Sequence, residues 1–280
     1  MRDVAIVEVG MTPVGEHWDR SLRELGAEAV RAALADSNLT SADALYVGNA
    51  YGATFSSQSQ VGVLVADHAG LTGIEAFTID AGDASGGAAL RAGYLAVASG
   101  LVETAIVLGV EKSTNGIAGG RVSAWNVSLD ADFEAIHGAT LPALAGLLMR
   151  RYMHEYGVSI SDFEGFSINA HRNAKSNAFA MYRNTIKEGA FAKAPMVSDP
   201  VNLFDSAPDG DGAAAVVLTS TARAADLHAM PVKIIGSGVA TDTLALHDRS
   251  DPLYLSAVDV SMHKAYQQAA ITSKDVDLFE

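Results

Sequence analysis

The residues best suited to chemistry lie in one glycine-rich turn, Asp80-Ala81-Gly82-Asp83-Ala84-Ser85-Gly86-Gly87. An apolar run with strand character, 75–79, precedes it, and a run with little charge and no proline, 87–100, follows it. This pattern predicts a strand, a tight turn and a helix buried on most sides. Small residues let the backbone come close to a ligand, and free N–H groups at a helix start favour negative charge. We expect the turn to display Asp83.

Two roles are open to a carboxylate at this position. Asp83 could face a ligand and act as a general base, provided that burial raises its pKa against the opposing pull of the helix N-terminus. It could instead only cap the helix by accepting hydrogen bonds from the first N–H groups. Both roles need the same place, so the sequence leaves them as alternatives.

Alternating segments surround the turn and must position it. Strand-like runs are predicted at 4–9, 44–47 and 104–110, and helices at 21–37 and 61–68. Ser21 and Glu24 fit a capping box at the start of the first helix. This alternation predicts a mostly parallel sheet that helices cover on both faces.

The pattern changes after the third of these strands. A glycine-rich loop at 115–120 leads into predicted helices at 141–156 and 161–177, the second with Ser161 and Glu164 as a capping box. Strands at 213–218 and 232–235, a helix at 256–270 and the start of a strand at 276–279 complete the prediction. The segment between the two groups of strands is typical of an inserted subdomain.

Composition limits the class of protein. The 280 residues are 49% hydrophobic and 19% charged, which is typical of a globular chain. A formal net charge of −14 argues against a general nucleic-acid surface. The absence of cysteine excludes disulfides, cysteine-ligated zinc and cysteine catalysis. No apolar run reaches membrane-spanning length and no signal peptide is evident, so we expect a cytoplasmic protein.

The residues of the central turn carry a family resemblance. Segments 81–91, 94–100 and 106–112 resemble the thiolase superfamily, and in particular its sterol-carrier-protein-type and archaeal acetyl-CoA acetyltransferase-like branches. In that family the turn carries the nucleophilic cysteine that takes the acyl group from coenzyme A. Asp83 stands at the matching position, and a carboxylate does not readily form the thioester that this chemistry needs.

The resemblance implies an α/β fold of two duplicated βαβαβ halves, with a mostly helical loop subdomain inserted in the first. A weak repeat agrees, since 39–43 and 271–275 each join a helix to a strand. The predicted domains are 1–115 plus 206–229 for the first half, 116–205 for the insertion and 230–280 for the start of the second half. We expect the second half to be incomplete, with further catalytic motifs after Glu280.

Further site residues follow from the resemblance. His137, within 133–138, matches a histidine near the acyl pocket, and Gly236, Ser237 and Gly238 match a region near the coenzyme A contacts. Arg150 is a candidate for holding coenzyme A phosphates. Each has a structural alternative: His137 as a packed, hydrogen-bonded ring, and Arg150 with Arg151 as a solvated helix face. His171 is predicted to be structural or at the surface. Asp209 and Asp211 are predicted to form a turn, and no metal site is expected.

The resemblance implies an acyltransferase of lipid metabolism, homodimeric or larger, that makes or breaks a carbon–carbon bond beta to a coenzyme A thioester. Without cysteine, standard thiolysis is disfavoured, whereas a retro-aldol or decarboxylation step needs only an oxyanion site and an acid/base. Asp83 would be that base. The alternative is a non-catalytic acyl-CoA-binding scaffold that pairs with a small OB-fold, zinc-ribbon protein.

Overall fold

A computed structural model describes residues 1–35, 39–116, 118–228 and 230–279. Its strands are Val4–Met11 (β1), Ala44–Gly48 (β2), Glu75–Ile79 (β3), Thr104–Glu111 (β4), Met196–Ser198 (β5), Val201–Asn202 (β6), Gly212–Ser220 (β7) and Val232–Ile234 (β8). Its α-helices are Leu22–Ala35 (α1), Gly52–Phe55 (α2), Val61–Ala69 (α3), Ser85–Ser99 (α4), Ala118–Trp125 (α5), Leu141–Tyr156 (α6), Glu164–Ala174 (α7), Thr221–Leu227 (α8) and Ser256–Ala269 (α9).

A six-stranded sheet in the order β3-β2-β4-β7-β1-β8 forms the centre of the fold. β2 pairs in parallel with β3 and β4, whereas β7 lies antiparallel between β4 and β1, and β8 is antiparallel to β1. The expectation of a mostly parallel sheet was therefore wrong. Helices return the chain to the same end of the sheet before β2, β3 and β4, but β7 follows the inserted segment and enters from the opposite end. The expected α/β class is confirmed by the mixed sheet and its helices.

Two hydrophobic cores lie on opposite faces of this sheet. Along β4, Ile106 and Leu108 point into the core that contains α1 and α3, and Val107 points into the core beneath α4. This alternation is the two-residue period of a strand buried on both faces. The sheet and the helices on its two faces thus form three layers, and α4 is the helix that the glycine-rich turn was predicted to start.

The predicted helix at 21–37 corresponds to α1, and its residues 36 and 37 lie outside the described residues. Its capping box is confirmed: the Ser21 backbone N–H donates to Glu24 Oε2 at 2.7 Å, and the Glu24 N–H donates to Ser21 Oγ at 3.4 Å. The predicted loop at 115–120 is shorter than expected because α5 begins at Ala118, with residue 117 outside the described residues.

The inserted segment is mostly helical. The helix predicted at 141–156 is confirmed as α6, but the one predicted at 161–177 is divided into a 3-10 turn, Ile160–Phe163, and the shorter α7. The capping box there consists of Ser159 and Asp162 and not of Ser161 and Glu164. The reason is that the chain enters its helical turn two residues earlier, so Ser159 is the residue with extended backbone before the turn.

Residues 276–279 were predicted to start a strand, but in the structure they form none. A capping box of Thr272 and Asp275 closes a 3-10 turn, Ser273–Asp275, and the chain beyond it has no ladder partner in the described ranges. β8 and α9, which come before it, form as predicted. The domain boundaries stay a prediction. Among the described helices, none has the length and apolar composition needed to cross a bilayer.

Candidate active site

The turn between β3 and α4 is closed by its own residues. Gly82 has a φ of 57°, in the left-handed region that favours glycine. Ser85 Oγ accepts a hydrogen bond from the Ala81 N–H at 2.9 Å and donates one to the Gly82 carbonyl at 2.6 Å. The Gly82 N–H donates to Asp80 Oδ1 at 2.9 Å. Because Ser85 and Asp80 satisfy the turn, the Asp83 side chain is left free to point outward.

Asp83 binds a neighbouring tyrosine and does not cap the helix. The Tyr51 hydroxyl donates a hydrogen bond of 3.0 Å to Asp83 Oδ1. In the described structure Ala84 is the N-cap residue of α4, and no side chain makes a capping hydrogen bond there. The capping alternative for Asp83 was therefore wrong. Asp83 is exposed, so the burial that was expected for its role as a base is not found. Tyr51 is only 3% exposed, so the pair joins the open cleft to the protein interior.

Aromatic rings fix the position of Tyr51. Its ring makes edge contacts with Phe55 and Trp125, at centroid distances of 5.9 and 4.4 Å. Burial, together with the charges of Asp83 and Glu111, raises the pKa of Tyr51 to about 12, against a smaller lowering by Ser128. Tyr51 is therefore a protonated hydrogen-bond donor at neutral pH.

Glu111, at the end of β4, holds the loop that carries Tyr51. Its Oε2 accepts hydrogen bonds from the backbone N–H groups of Ala50, at 3.2 Å, and Tyr51, at 3.0 Å. Its Oε1 accepts a hydrogen bond of 3.1 Å from Asn49 Nδ2. Burial raises the pKa of the Glu111 carboxyl, and these hydrogen bonds oppose that rise. Glu111 thus positions the β2–α2 loop against the end of β4.

Tyr51 and Glu111 were missed at the sequence level, although the topology offered a signal. Tyr51 follows β2, Asp83 follows β3, and Glu111 ends β4. These three strands are parallel neighbours in the sheet, so their carboxyl ends meet at one edge, which is where α/β sheets place their ligands. A search for polar residues after each strand would have found all three.

A buried ion pair lies behind this edge. Lys112 Nζ is 2.8 Å from Asp211 Oδ2, and the side chains are 2% and 0% exposed. Asp211 also accepts hydrogen bonds from Ser113, Thr114 and the His17 backbone. The sequence predicted only a turn at Asp211. The pair instead fastens the end of β4 to the segment that leads into β7.

A cleft of 460 Å³ opens in front of Asp83. Its polar lining residues include Asp83, Glu111 and Asn49, and its apolar ones include Val14 and Trp125. The segments 48–51, 82–86, 109–111 and 210–214 supply most of the remaining lining residues. None of the described residues that line it is lysine or arginine. The cleft is thus acidic and apolar in character.

His137 lies in a different cavity. It belongs to a short 3-10 turn, Ala135–His137, and is exposed. A cavity of 390 Å³ is lined by His137 together with Arg151, Leu246 and His247. The structure therefore does not bring His137 and Asp83 into one cavity, and a role for His137 in the chemistry at Asp83 stays a prediction.

Arg150 and Arg151 both form ion pairs. Arg150 pairs with Asp199, and both side chains are more than half exposed. Arg151 pairs with Glu155 one turn along α6, at 2.7 Å, and also lines the His137 cavity. These contacts match the solvated helix face that was one of the two alternatives. A contact between Arg150 and a coenzyme A phosphate stays a prediction.

The Gly236–Gly238 segment packs on α9. A Cβ at Gly236 would lie 2.5 Å from the Ala265 carbonyl oxygen, and one at Gly238 would lie 2.1 Å from that of Ser261. Ser237 accepts hydrogen bonds from Arg91 on α4 and donates its N–H to Gln268 on α9 at 3.0 Å. Close packing on α9 therefore requires both glycines. A coenzyme A contact by this segment stays a prediction.

His171 and the acidic pair are accounted for by protein contacts. His171 Nδ1 lies 2.8 Å from the Asn184 carbonyl oxygen, as expected for a structural ring. Asp209 pairs with Arg121 at 2.9 Å, and Asp211 with Lys112. No cluster of three or more metal-ligating side chains is found within the described residues.

The chain is similar to known proteins in sequence and in structure. Residues 4–197 match the family described as "Thiolase, N-terminal domain". A protein of Methanothermobacter thermautotrophicus named acetyl-CoA acetyltransferase is 39% identical over 282 residues, covering 100% of this chain and 73% of that protein. A 17-hydroxy-3-oxo-4-pregnene-20-carboxyl-CoA lyase of Mycobacterium tuberculosis is 29% identical, covering 97% of this chain and 72% of the lyase. A solved structure titled "Ltp2-ChsH2(DUF35) aldolase" superposes with a TM-score of 0.81 and 26% identity, covering 98% of this chain and 71% of that one.

Proposed function

This chain belongs to the thiolase family, and from that premise we propose that it acts on a coenzyme A thioester at the cleft beside Asp83 without a cysteine nucleophile. The family match confirms the resemblance carried by the central turn. Relatives are named as an acetyl-CoA acetyltransferase and as a carboxyl-CoA lyase, and both names contain a coenzyme A thioester. We propose that this chain makes or breaks a carbon–carbon bond beta to the thioester.

One observation carries this proposal. Asp83 occupies the displayed position of the turn, at the mouth of the cleft, and the sequence contains no cysteine. The hydrogen bond from Tyr51 fixes the orientation of the Asp83 carboxylate. An oriented carboxylate that faces a ligand cleft is suited to moving a proton and poorly suited to holding an acyl group.

A retro-aldol cleavage fits these groups. Asp83 would take the proton from a β-hydroxyl group of the bound acyl chain. The bond between the α- and β-carbons then breaks, the β-carbon becomes a carbonyl, and the electron pair passes to the α-carbon and the thioester oxygen as an enolate. The enolate carbon takes up a proton to give the shorter thioester. The reverse sequence forms the bond.

The start of α4 supports the negative charge in this step. α4 has 15 residues and begins at Ser85, two residues after Asp83. The helix dipole places partial positive charge at that end, which stabilises a developing enolate nearby.

Retro-aldol cleavage needs no free coenzyme A, whereas thiolysis does, and the experiment uses this difference. The protein is incubated with a β-hydroxyacyl-CoA, with no free coenzyme A added, and the shorter acyl-CoA and the carbonyl product are followed by mass spectrometry. We expect cleavage by the wild type and a loss on the order of 10²-fold or more in Asp83→Asn. Cleavage of β-ketoacyl-CoA that depends on added coenzyme A would instead indicate thiolysis and contradict the proposal.

A second candidate is a non-catalytic acyl-CoA-binding subunit that pairs with another protein. The solved aldolase structure, whose title names a DUF35 component, supports the pairing with another protein. We propose that this chain also associates with a small OB-fold, zinc-ribbon protein. Turnover by the chain together with such a partner, lost in Asp83→Asn, would favour the enzyme. Binding of acyl-CoA without turnover under the same conditions would favour the scaffold.

The remaining predictions belong to this proposal. We propose a homodimer or larger assembly, because β3 is an edge strand of the described sheet and the Phe77 side chain on it is 55% exposed. We also propose a role in lipid metabolism, which the name of the pregnene-carboxyl-CoA lyase supports. A cytoplasmic location, and coenzyme A contacts by Arg150, His137 and 236–238, stay predictions.

A further inference from the structure

Two glycines that line the cleft lack a reason within the protein to be glycine. Gly86 lies in the first turn of α4 and Gly109 lies in β4, and both line the cleft beside Asp83. Apart from the adjacent residues and, for Gly86, the backbone of its own helix, a Cβ built at either position meets no heavy atom of the described structure within 4 Å. Gly86 and Gly109 are not among the described glycines with a left-handed φ. Neither packing nor backbone conformation therefore requires glycine at these two positions.

Glycine is unfavourable at both positions. It loses more conformational freedom on folding than any other residue, and it weakens a strand because it has no side chain to pack. Glycine in a strand often marks a place where a ligand or another backbone approaches closely. No described backbone comes within 4 Å of a Cβ at Gly109, so the approaching atoms belong to something outside this chain.

Gly48, in the neighbouring strand, shows the contrast. It pairs with Gly109 across the β2–β4 ladder. A Cβ at Gly48 would lie only 2.5 Å from the Ser85 carbonyl oxygen, because the start of α4 packs directly on that strand. The packing of α4 explains Gly48, whereas the space over Gly109 stays open to the cleft.

The charges of the cleft indicate which part of a coenzyme A thioester fits there. Its described lining residues include two carboxylates, Asp83 and Glu111, and no lysine or arginine. The nucleotide end of coenzyme A carries phosphates, which carboxylates repel. The uncharged thioester and its acyl chain meet no such repulsion.

We propose that Gly86 and Gly109 determine specificity by keeping open the space into which the acyl part of the ligand enters beside Asp83. This inference rests on the proposed function, since it assumes that the ligand is an acyl-CoA. A methyl group at either position takes up space that the acyl chain needs and leaves the nucleotide end undisturbed. The two substitutions therefore weaken binding of an acyl-CoA but not of free coenzyme A.

Calorimetric titration with butyryl-CoA and with free coenzyme A tests the proposal on the wild type, Gly86→Ala and Gly109→Ala. We expect both variants to lose about tenfold or more in affinity for butyryl-CoA, the size of effect that one methylene produces in a fitted pocket. Affinity for free coenzyme A stays at the wild-type value. Melting temperatures are not lowered, because the added methyl groups meet open space.

Gly87→Ala is the matched control. Gly87 follows Gly86 in the same helical turn, and a Cβ there also meets nothing within 4 Å, but Gly87 does not line the cleft in the described structure. It should bind both ligands as the wild type does. Wild-type affinity for butyryl-CoA in Gly86→Ala and Gly109→Ala would overturn the proposal. An equal loss for both ligands, or the same loss in Gly87→Ala, would also overturn it.

Two further outcomes distinguish a failure of this inference from a failure of the proposed function. If Gly109→Ala lowers the melting temperature, Gly109 is a structural glycine and its part in the proposal is wrong, and Gly86→Ala then decides the rest. If the wild type binds neither ligand, the proposed function fails and this inference fails with it. Wild-type binding with unaltered variants rejects the inference alone.

Discussion

The Tyr51 hydroxyl donates a hydrogen bond of 3.0 Å to Asp83, across the carboxyl ends of two parallel strands that pair directly, β2 and β3. Glu111, at the end of the next strand, holds the Tyr51 backbone. The loops after β2 and β3 and the end of β4 are thereby joined through one residue, Tyr51, by its hydroxyl to Asp83 and by its backbone N–H to Glu111. The orientation of Asp83 depends on residues that are distant from it in sequence.

Tyr51→Phe removes this hydrogen bond and keeps the aromatic packing. We expect it to destabilise the protein by about 1 kcal/mol, the usual net worth of one hydrogen bond, and to reduce turnover because the Asp83 carboxylate loses its fixed orientation. Urea denaturation and the aldol-cleavage assay measure the two effects. In a double-mutant cycle with Asp83→Asn, the losses of activity should not add; additive losses would show that the two residues act separately.

Asp83→Ala tests the absence of a capping role. Since the described N-terminus of α4 has no side-chain cap, we expect Asp83→Ala to destabilise the protein no more than Tyr51→Phe does, and by the same interaction. Ser85→Ala is the comparison, because Ser85 Oγ makes two hydrogen bonds that close the turn. Thermal unfolding should show the larger loss for Ser85→Ala. The opposite order would restore the capping role of Asp83.

The wild type should form no covalent acyl-enzyme. The mixed anhydride that a carboxylate would form is prone to hydrolysis, whereas a cysteine thioester persists for the second half-reaction. Intact mass after incubation with acetyl-CoA should show the unmodified chain for the wild type and an acetyl adduct for Asp83→Cys. An adduct on the wild type would contradict the proposed mechanism.

Lys112→Met should destabilise the protein by about 3–5 kcal/mol, because it leaves the buried Asp211 carboxylate without its cation. Lys233→Met is the matched control. Lys233 pairs with Asp3 at a similar distance, 2.6 Å, but both side chains are about half exposed, so its loss should be below about 1 kcal/mol. Equal effects in guanidinium denaturation would show that burial does not strengthen the Lys112–Asp211 pair.

The Lys112–Asp211 pair also predicts that the stability of the protein falls in acid. Burial favours the neutral form of Asp211, but hydrogen bonds from Lys112, Thr114 and His17 outweigh it and lower the pKa of this carboxyl. A carboxyl whose pKa is lowered by folding stabilises the folded state above its unfolded pKa, about 4, and loses that contribution as the pH falls through its folded pKa. Wild-type stability should therefore fall below about pH 4 more steeply than that of Asp211→Asn.

The proposed dimer or larger assembly can be tested at β3, an edge strand of the described sheet. Replacing the exposed Phe77 by lysine places a charge on the edge strand and should shift a dimer towards monomer. Light scattering at micromolar concentration measures the shift, with Leu101→Lys, an exposed leucine outside the strands, as the control. A wild-type monomer under these conditions would reject the assembly proposal.

Much of the fold could be predicted from local patterns in the sequence. The strand–turn–helix around Asp83, the Ser21–Glu24 capping box and α6 all depend on residues that are close in sequence, and all are confirmed. The direction of β7 was not predicted, because it depends on which end of the sheet the chain reaches after a long insertion. Residues 276–279 also lack the ladder pairing that a strand needs.

The candidate site was predicted only in part for the same reason. The exposed position of Asp83 follows from its turn. Its hydrogen bond to Tyr51, the support from Glu111 and the burial of Asp211 against Lys112 arise from contacts between segments that are far apart in sequence. No local propensity encodes such contacts; the order of strands in the sheet does.

The position of β7 also orders the assembly of the sheet during synthesis. Among the described strands, β1 pairs with β7 and β8 alone, and Val4 lies opposite Ser220. β2, β3 and β4 can pair with one another as soon as residue 111 has left the ribosome, but β1, which precedes them in the chain, has to wait for β7. A chain that stopped before Gly212 would leave β1 without a partner and β4 with an open apolar edge, and such edges promote aggregation. The amino-terminal strand is thus the part of this sheet that is translated first and incorporated late.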